Sequence, residues 1–233
     1  MKQKQFQHNL LSTPTLLRED GGEGGRFYVS PNGTRLPSVT NVLSWSKKDS
    51  LVQWRNRVGE DEANRIAKKA ANRGTKFHAV CEDYLNNKEI DYSTLDPRTL
   101  DLFHASINHI NRIDNIYGIE LPLYSNYLGV AGTADCIANF DGKRSIIDFK
   151  TSNKPKKEEW IDDYFMQTAC YAVMVEELTG TPVPNLVIII AVDDDSTQLF
   201  TQKRDKWVDK AAKVITSYYH YHGLDDGRLG RIS

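Results

Sequence analysis

Cysteine is scarce in this sequence. There are three in 233 residues, Cys81, Cys136 and Cys170. The odd count and wide spacing argue against a disulfide framework. With no C-x-x-C pair there is no thiolate cage for a structural zinc ion or an iron–sulfur cluster. The three thiols read as small buried apolar residues in a reducing compartment. Long apolar runs are also missing. The longest, Leu186 to Val192, has the length of a buried strand and falls far short of a membrane span of about 20 residues. The first twenty residues lack the unbroken apolar centre of a signal peptide, and Glu19 and Asp20 argue against a mitochondrial transit peptide. A soluble protein of the cytoplasm, away from any membrane, is therefore expected. An excess of one charge is the third absence. Thirty basic residues stand against 31 acidic ones, for a net charge of −1, which is not the global charge of a simple polyanion binder.

What is present suits one domain. Hydrophobic residues make up 39% and charged residues 26%, and this length supports one good core but would be tight for two. The charges are locally segregated. Arg65, Lys68, Lys69, Arg73 and Lys76 crowd one segment, and Lys150, Lys154, Lys156 and Lys157 another. Either cluster alone is more often a solvated face, and nearness to the motifs below favours a functional reading.

The stretch Phe27 to Pro37 places Pro-Asn-Gly between apolar flanks, a hairpin signal. Ser38 to Thr40 offers caps for a short helix, and Leu51 to Val58 reads as a second. A long Ala-rich helical stretch begins at Glu60, is interrupted at Gly74 and resumes through Phe77, Val80, Cys81 and Tyr84. Pro97 opens a further helix. Three strands are expected over Ile119–Asn126, Val130–Phe140 and Ser145–Phe149, the last two joined by an Asp141-Gly142 turn. A helix over Glu158–Leu178, strands over Leu186–Val192 and Thr197–Thr201, and a helix over Lys203–Tyr219 complete the pattern. The order predicts an α/β domain with a mixed central sheet flanked by helices and a helical N-terminal region. A flexible segment is expected over residues 1–26. A single domain follows over 27–222, divided into a hairpin and helical part (27–72) and a core (73–222), with a tail over 223–233.

Asp148 and Lys150 are two apart on one strand and share a face, while Ile147 and Phe149 point the other way. The turn at Asp141-Gly142 makes the preceding strand an antiparallel neighbour, so that Asp135 comes within reach of either residue. Two carboxylates suit a hard divalent cation, Mg²⁺ or Mn²⁺. A lysine beside it adds positive charge where a phosphodiester transition state is negative. The same three residues are also compatible with a cross-strand salt bridge. His78 and Glu82 lie four apart on one helix face, and so do Gln167 and Tyr171. Each pair reads either as part of a site or as ordinary surface and packing.

Taken in order, Arg73-Gly74-Thr75-Lys76-Phe77-His78, Glu82, Gly132-Thr133-Ala134-Asp135, Asp148-Phe149-Lys150-Thr151-Ser152 and Gln167-Thr168-Ala169-Cys170-Tyr171 resemble the motifs of RecB-type PD-(D/E)XK nucleases. Pro37 to Leu43 and Trp54-Arg55 resemble the branch of that family found in mitochondrial genome maintenance and in bacteriophages. The resemblance implies a restriction-endonuclease-like core and two-metal hydrolysis of DNA ends, with a preference for single strands. It implies metal ligation by His78, Asp135, Asp148, the backbone carbonyl of Phe149 and, more loosely, Glu82. Lys150 would be the catalytic lysine, with Gln167 and Tyr171 completing the site. Glu120 matches a recurrent acidic position to which no role attaches. Arg73, Lys76, Thr151 and Ser152 are expected to contact DNA, with Trp54 a candidate for stacking on a base. Some relatives hold an iron–sulfur cluster. No cysteine follows Cys170, so none is expected here. A phage or mobile-element source would place the protein in the host cytoplasm, working alone or with replication or recombination proteins. Two other readings stay open: a structure-specific endonuclease or nuclease subunit of a recombination complex, and a DNA-binding scaffold that does not cut.

Overall fold

The computed structural model describes residues 3–20 and 25–224. Parts of the expected terminal segments, residues 1–2, 21–24 and 225–233, lie outside the described residues. Three short antiparallel strands, β1 (Leu17–Glu19), β2 (Phe27–Val29) and β3 (Arg35–Pro37), form a small sheet. The β2–β3 pair is the expected hairpin, and β1 pairs with its outer side. Three helices follow, α1 (Val39–Trp45), α2 (Lys48–Val58) and α3 (Glu60–Leu85). Ser38 caps α1 by accepting the Asn41 N–H at 3.1 Å. Helix α4 (Pro97–Ile110) carries proline in its first turn behind Asp96, which accepts the Thr99 N–H.

The main sheet has the order β4 (Ile113–Ser125), β5 (Val130–Phe140), β6 (Lys143–Ser152), β7 (Asn185–Val192), β8 (Thr197–Lys203). Neighbours are antiparallel except β6 and β7, which are parallel. Their crossover is α5 (Asp162–Thr179), and the chain closes with α6 (Asp205–Tyr221). Asp141 and Gly142 both have positive φ, as a two-residue turn between twisted strands requires. One core lies between the sheet and α1, α5 and α6, with Ile146, Ile188, Phe165 and Trp207 buried in it. The other lies under α3 and α4, with Phe77, Phe103, Ile147 and Phe149. Alternate residues of β6 thus enter opposite cores, as period-two geometry demands. Strand β7, central and parallel on one side, is buried along nearly its whole length. Among the described residues no helix is long and apolar enough to cross a membrane.

Three expectations need correction. Helix α3 runs unbroken through Gly74, so there is no boundary at 72/73. A glycine in a helix costs only about 1 kcal/mol, and contacts on either side of it outweigh that. The segment expected to be flexible is packed over residues 3–11. Phe6 is buried edge-on against Tyr84, and Lys4 Nζ donates to the carbonyls of Asn111 and Ile113 at 2.7 Å each. The N–H groups of Asn9 and Leu11 donate to β4, covering that sheet edge. Strand β4 also begins six residues before the expected Ile119, because a bulge between Asp114 and Gly118 hides its alternation.

Candidate active site

The β5–β6 ladder stops at Cys136 opposite Ile147. Beyond that point side chains serve the backbone of Phe149. Its N–H donates to Asp135 Oδ2 at 2.8 Å, and its carbonyl accepts from His78 Nε2 at 2.6 Å. Two expected site residues therefore converge on a third, from β5 and from α3. With Nε2–H used on the carbonyl, His78 Nδ1 lies 3.6 Å from Asp135 Oδ2 and 4.0 Å from Glu120 Oε1.

Glu120 is the residue whose role the sequence left open. The pairs Ile119–Cys136 and Leu121–Ala134 put it directly across β4–β5 from Asp135. Ligand atoms of His78, Glu120 and Asp135 all lie within 4.8 Å of one another. Glu120 has a φ of 45° although it sits in no turn. That left-handed conformation costs a side-chain-bearing residue about 1–3 kcal/mol and persists only where its surroundings impose it. Directly opposed like charges are also unfavourable, and His78 supplies the compensating charge. Burial of its ring works against protonation, but Asp135 and Glu120 outweigh that and push its pKa up to about 9.

Asp148 and Lys150 share a face as expected, with Nζ 2.7 Å from Oδ1 and 2.6 Å from Oδ2. Gln167 Nε2 donates to Asp148 Oδ1 at 3.1 Å. Asp148 is almost fully buried, and its Oδ2 receives no well-directed hydrogen bond despite the nearby ammonium. Burial pushes its carboxyl up to about 6, against the pull of Lys150, with Asp135 pushing further in the same direction. Burial also opposes the Lys150 charge, but Asp148 and Asp135 prevail and hold it above the usual lysine value. Tyr171 is buried. Its ring lies on Gly132, where an added Cβ would sit 2.8 Å from both Cε1 and the hydroxyl oxygen. The glycine of the G-T-x-D motif is thus needed for close approach. Burial, then Asp135 and Asp148, raise the Tyr171 hydroxyl well above its ordinary pKa.

These donors fit a hard divalent cation. Asp148 is a buried carboxylate held by Lys150 and Gln167, Glu120 and Asp135 are opposed carboxylates, and imidazole Nδ1 lies 4.0 and 3.6 Å from them. The Phe149 carbonyl already accepts from His78, and its second lone pair leaves room for an ion. Glu82 does not join. It lies four residues along α3 from His78, about 6 Å further on, outside the group that includes Glu120.

The expected DNA contacts fare differently. Arg73 is only 9% exposed and is fully engaged, by Asp193 at 2.8 Å, by Thr151 Oγ1 at 3.1 Å and by Asn153. Asp193 also accepts from Arg98 at 3.1 Å. Arg73 thus ties α3 to the ends of β6 and β7, and Thr151 is one of its partners. Ser152 is buried, closing a turn on the Lys154 carbonyl. Lys76 is exposed and pairs with Asp96 at 3.0 Å. Trp54 is half-buried on α2, a helix with no fully buried residue. Cys81 and Cys136 lie in one core and Cys170 in the other, all buried, and burial raises each thiol pKa.

The chain is 31% identical to human mitochondrial genome maintenance exonuclease 1 over 134 residues, covering 52% of this chain and 38% of that protein. The Xenopus tropicalis counterpart is 29% identical over 180 residues, covering 71% of this chain and 50% of that protein. The mouse counterpart is 29% identical over 130 residues, 52% of this chain and 38% of its own length. The chain thus spans half or less of the length of these relatives. A profile of the PD-(D/E)XK nuclease superfamily matches residues 103–220, from α4 to α6 and across β5, β6 and the α5 glutamine. With half of its length matched, and with the acid–acid–lysine group on adjacent strands of a mixed sheet, the chain belongs to the PD-(D/E)XK nuclease superfamily.

Proposed function

We propose that this protein is a divalent-metal-dependent deoxyribonuclease that works from DNA ends and favours a single strand, in replication, recombination or repair. The observation that carries the reading is the meeting of Asp135, Asp148 and Lys150 at the point where β5 and β6 part. The printed names of the relatives, exonucleases of genome maintenance, support the end-directed reaction.

In this reading Asp148, Asp135, Glu120 and His78 hold the cation, assisted by the Phe149 carbonyl, and Glu82 is not a ligand. When bound, Mg²⁺ or Mn²⁺ supplies positive charge to the scissile phosphate and lowers the pKa of an attacking water. Lys150 remains protonated because two carboxylates outweigh its burial. Its ammonium orients the water and stabilises charge on the phosphate in the transition state. Gln167 and the Lys150 ammonium together fix the orientation of the Asp148 carboxylate that would face the ion. Tyr171, kept protonated, acts as a donor beneath the two acids. Lys76 is the expected phosphate contact that remains exposed.

The test is digestion of end-labelled linear and closed circular DNA, single- and double-stranded, with Mg²⁺, Mn²⁺ or EDTA. The proposal expects linear single strands to shorten in either metal, circles to survive and EDTA to stop the reaction. Rapid cutting of closed circles would replace the end-directed reading with the endonuclease one. Metal binding without cleavage of any DNA would leave the scaffold reading.

A further inference from the structure

Beyond β6 the chain runs Lys154-Pro155-Lys156-Lys157-Glu158-Glu159-Trp160 into α5. Trp160 is 55% exposed, whereas Trp207 is buried and Trp45 packs on Tyr218 and Tyr221. The segment that carries it is pinned. Lys156 donates its N–H to Gln198 Oε1 at 2.7 Å, and its carbonyl accepts from Gln198 Nε2 at 2.9 Å. Glu158 accepts from Gln202 on the same edge strand. The Trp160 N–H is closed on the Lys157 carbonyl at 3.0 Å. A large apolar ring is therefore presented to solvent by a fixed backbone, with Lys157 Nζ 5.2 Å from its centroid.

Four residues later, half-buried Tyr164 lies with Lys150 Nζ 5.1 Å from its ring centroid. Next to it, Asp163 pairs with Lys47 at 2.8 Å, which ties the corner between α1 and α2 to the start of α5. Two rings four residues apart on the chain thus each carry an ammonium against them, Tyr164 with Lys150 at 5.1 Å and Trp160 with Lys157 at 5.2 Å, an alternation of cation and ring. That alternation is what a single nucleic-acid strand requires: ring faces for bases of any sequence, and ammonium groups for the phosphates between them.

We propose that Trp160 and Tyr164, flanked by Lys157 and Lys150, form a base-stacking subsite for a single strand of DNA passing the active site. The proposal rests on the DNA-nuclease reading above. Stacking of Trp160 on a base displaces solvent from the exposed indole, while Lys157, 66% exposed and only loosely paired with Glu159 at 3.9 Å, swings from the ring to the neighbouring phosphate.

The experiment measures binding of the full chain, in EDTA, to a fluorescent oligothymidylate and to an abasic deoxyribose-phosphate strand of equal length, alongside cleavage of the first in Mn²⁺. Loss of one base–aromatic stack costs about tenfold in affinity. Trp160→Ala should therefore weaken oligothymidylate binding by that amount, and Trp160→Phe should recover most of it. The abasic strand should bind the parent weakly and Trp160→Ala no worse. Equal losses on both strands, or no loss on either, with the parent still cutting DNA, would overturn the subsite and leave the nuclease reading standing. A parent that neither binds nor cuts any DNA would overturn both.

Discussion

Glu120 stands directly opposite Asp135 across β4 and β5, with His78 Nδ1 4.0 Å from the one and 3.6 Å from the other. Two carboxylates set face to face raise each other's energy unless a positive charge joins them, and in the function proposed above that charge would be the divalent ion. Glu120→Ala should raise the Mg²⁺ or Mn²⁺ concentration for half-maximal cleavage by at least about tenfold, the lower range for lost groups around a metal. Glu82→Ala, one turn along α3, should leave it unchanged. Metal titrations of the cleavage rate for both variants decide this. A shift in Glu82→Ala with none in Glu120→Ala would reverse the assignment.

The raised pKa of His78 gives a pH signature. Its folded-state value is about 9 against an ordinary 6.5. Protonation of this group therefore contributes stability that is fully present below about 6.5 and is lost as pH rises through 9. A divalent ion replaces the proton, so the loaded protein should not suffer that loss. The rise in melting temperature on adding Mg²⁺ should thus be larger at pH 8.5 than at pH 6.5 for the parent, and this increment should vanish in His78→Ala. A metal-induced rise that shrinks with pH in the parent, or that grows equally in the variant, would contradict the placement of His78 beside the ion.

Arg73 makes its contacts to protein. It spans α3, β6 and the β7–β8 turn through Thr151, Asn153 and Asp193. Hydrogen bonds to a charged group of this burial contribute about 2–3 kcal/mol. Arg73→Ala should lose about that much in urea unfolding, whereas exposed Lys76→Ala should change stability by less than about 1 kcal/mol. Parental stability in Arg73→Ala, coupled with a flatter salt dependence of DNA binding, would restore the phosphate-contact role.

Much of the site was readable because it is local. Asp148 and Lys150 are two apart on a strand, and Asp141-Gly142 fixes which strand lies beside them. The strands and the pairings across tight turns followed from turns and alternation in the same way, whereas the parallel placing of β7 beside β6 depends on the α5 crossover. Glu120 was present in the motifs but could not be assigned, because its position depends on a bulge between Asp114 and Gly118 and on tertiary register. Glu82 was grouped with His78 by helical spacing and, more loosely, by the motif resemblance. Spacing fixes a shared face but not how far along the axis the site lies. Arg73 looked like a surface cation because its partner Asp193 is 120 residues away. Residues 3–11 looked unstructured because their partners are backbone groups of β4 and carbonyls at the end of α4, which carry no sequence signal.

The most direct test of the account is the cleavage rate of an end-labelled single strand, in saturating Mg²⁺, by the parent, Asp148→Asn and Lys150→Ala, each verified as folded by circular dichroism. Asp148→Asn keeps the shape but removes the charge an ion needs, and Lys150→Ala removes the ammonium that meets the phosphate. Each should lower the rate by about 10²–10³-fold or more. A folded Asp148→Asn or Lys150→Ala protein that cleaves at nearly the parental rate would contradict the assignment of the active site to the parting of β5 and β6.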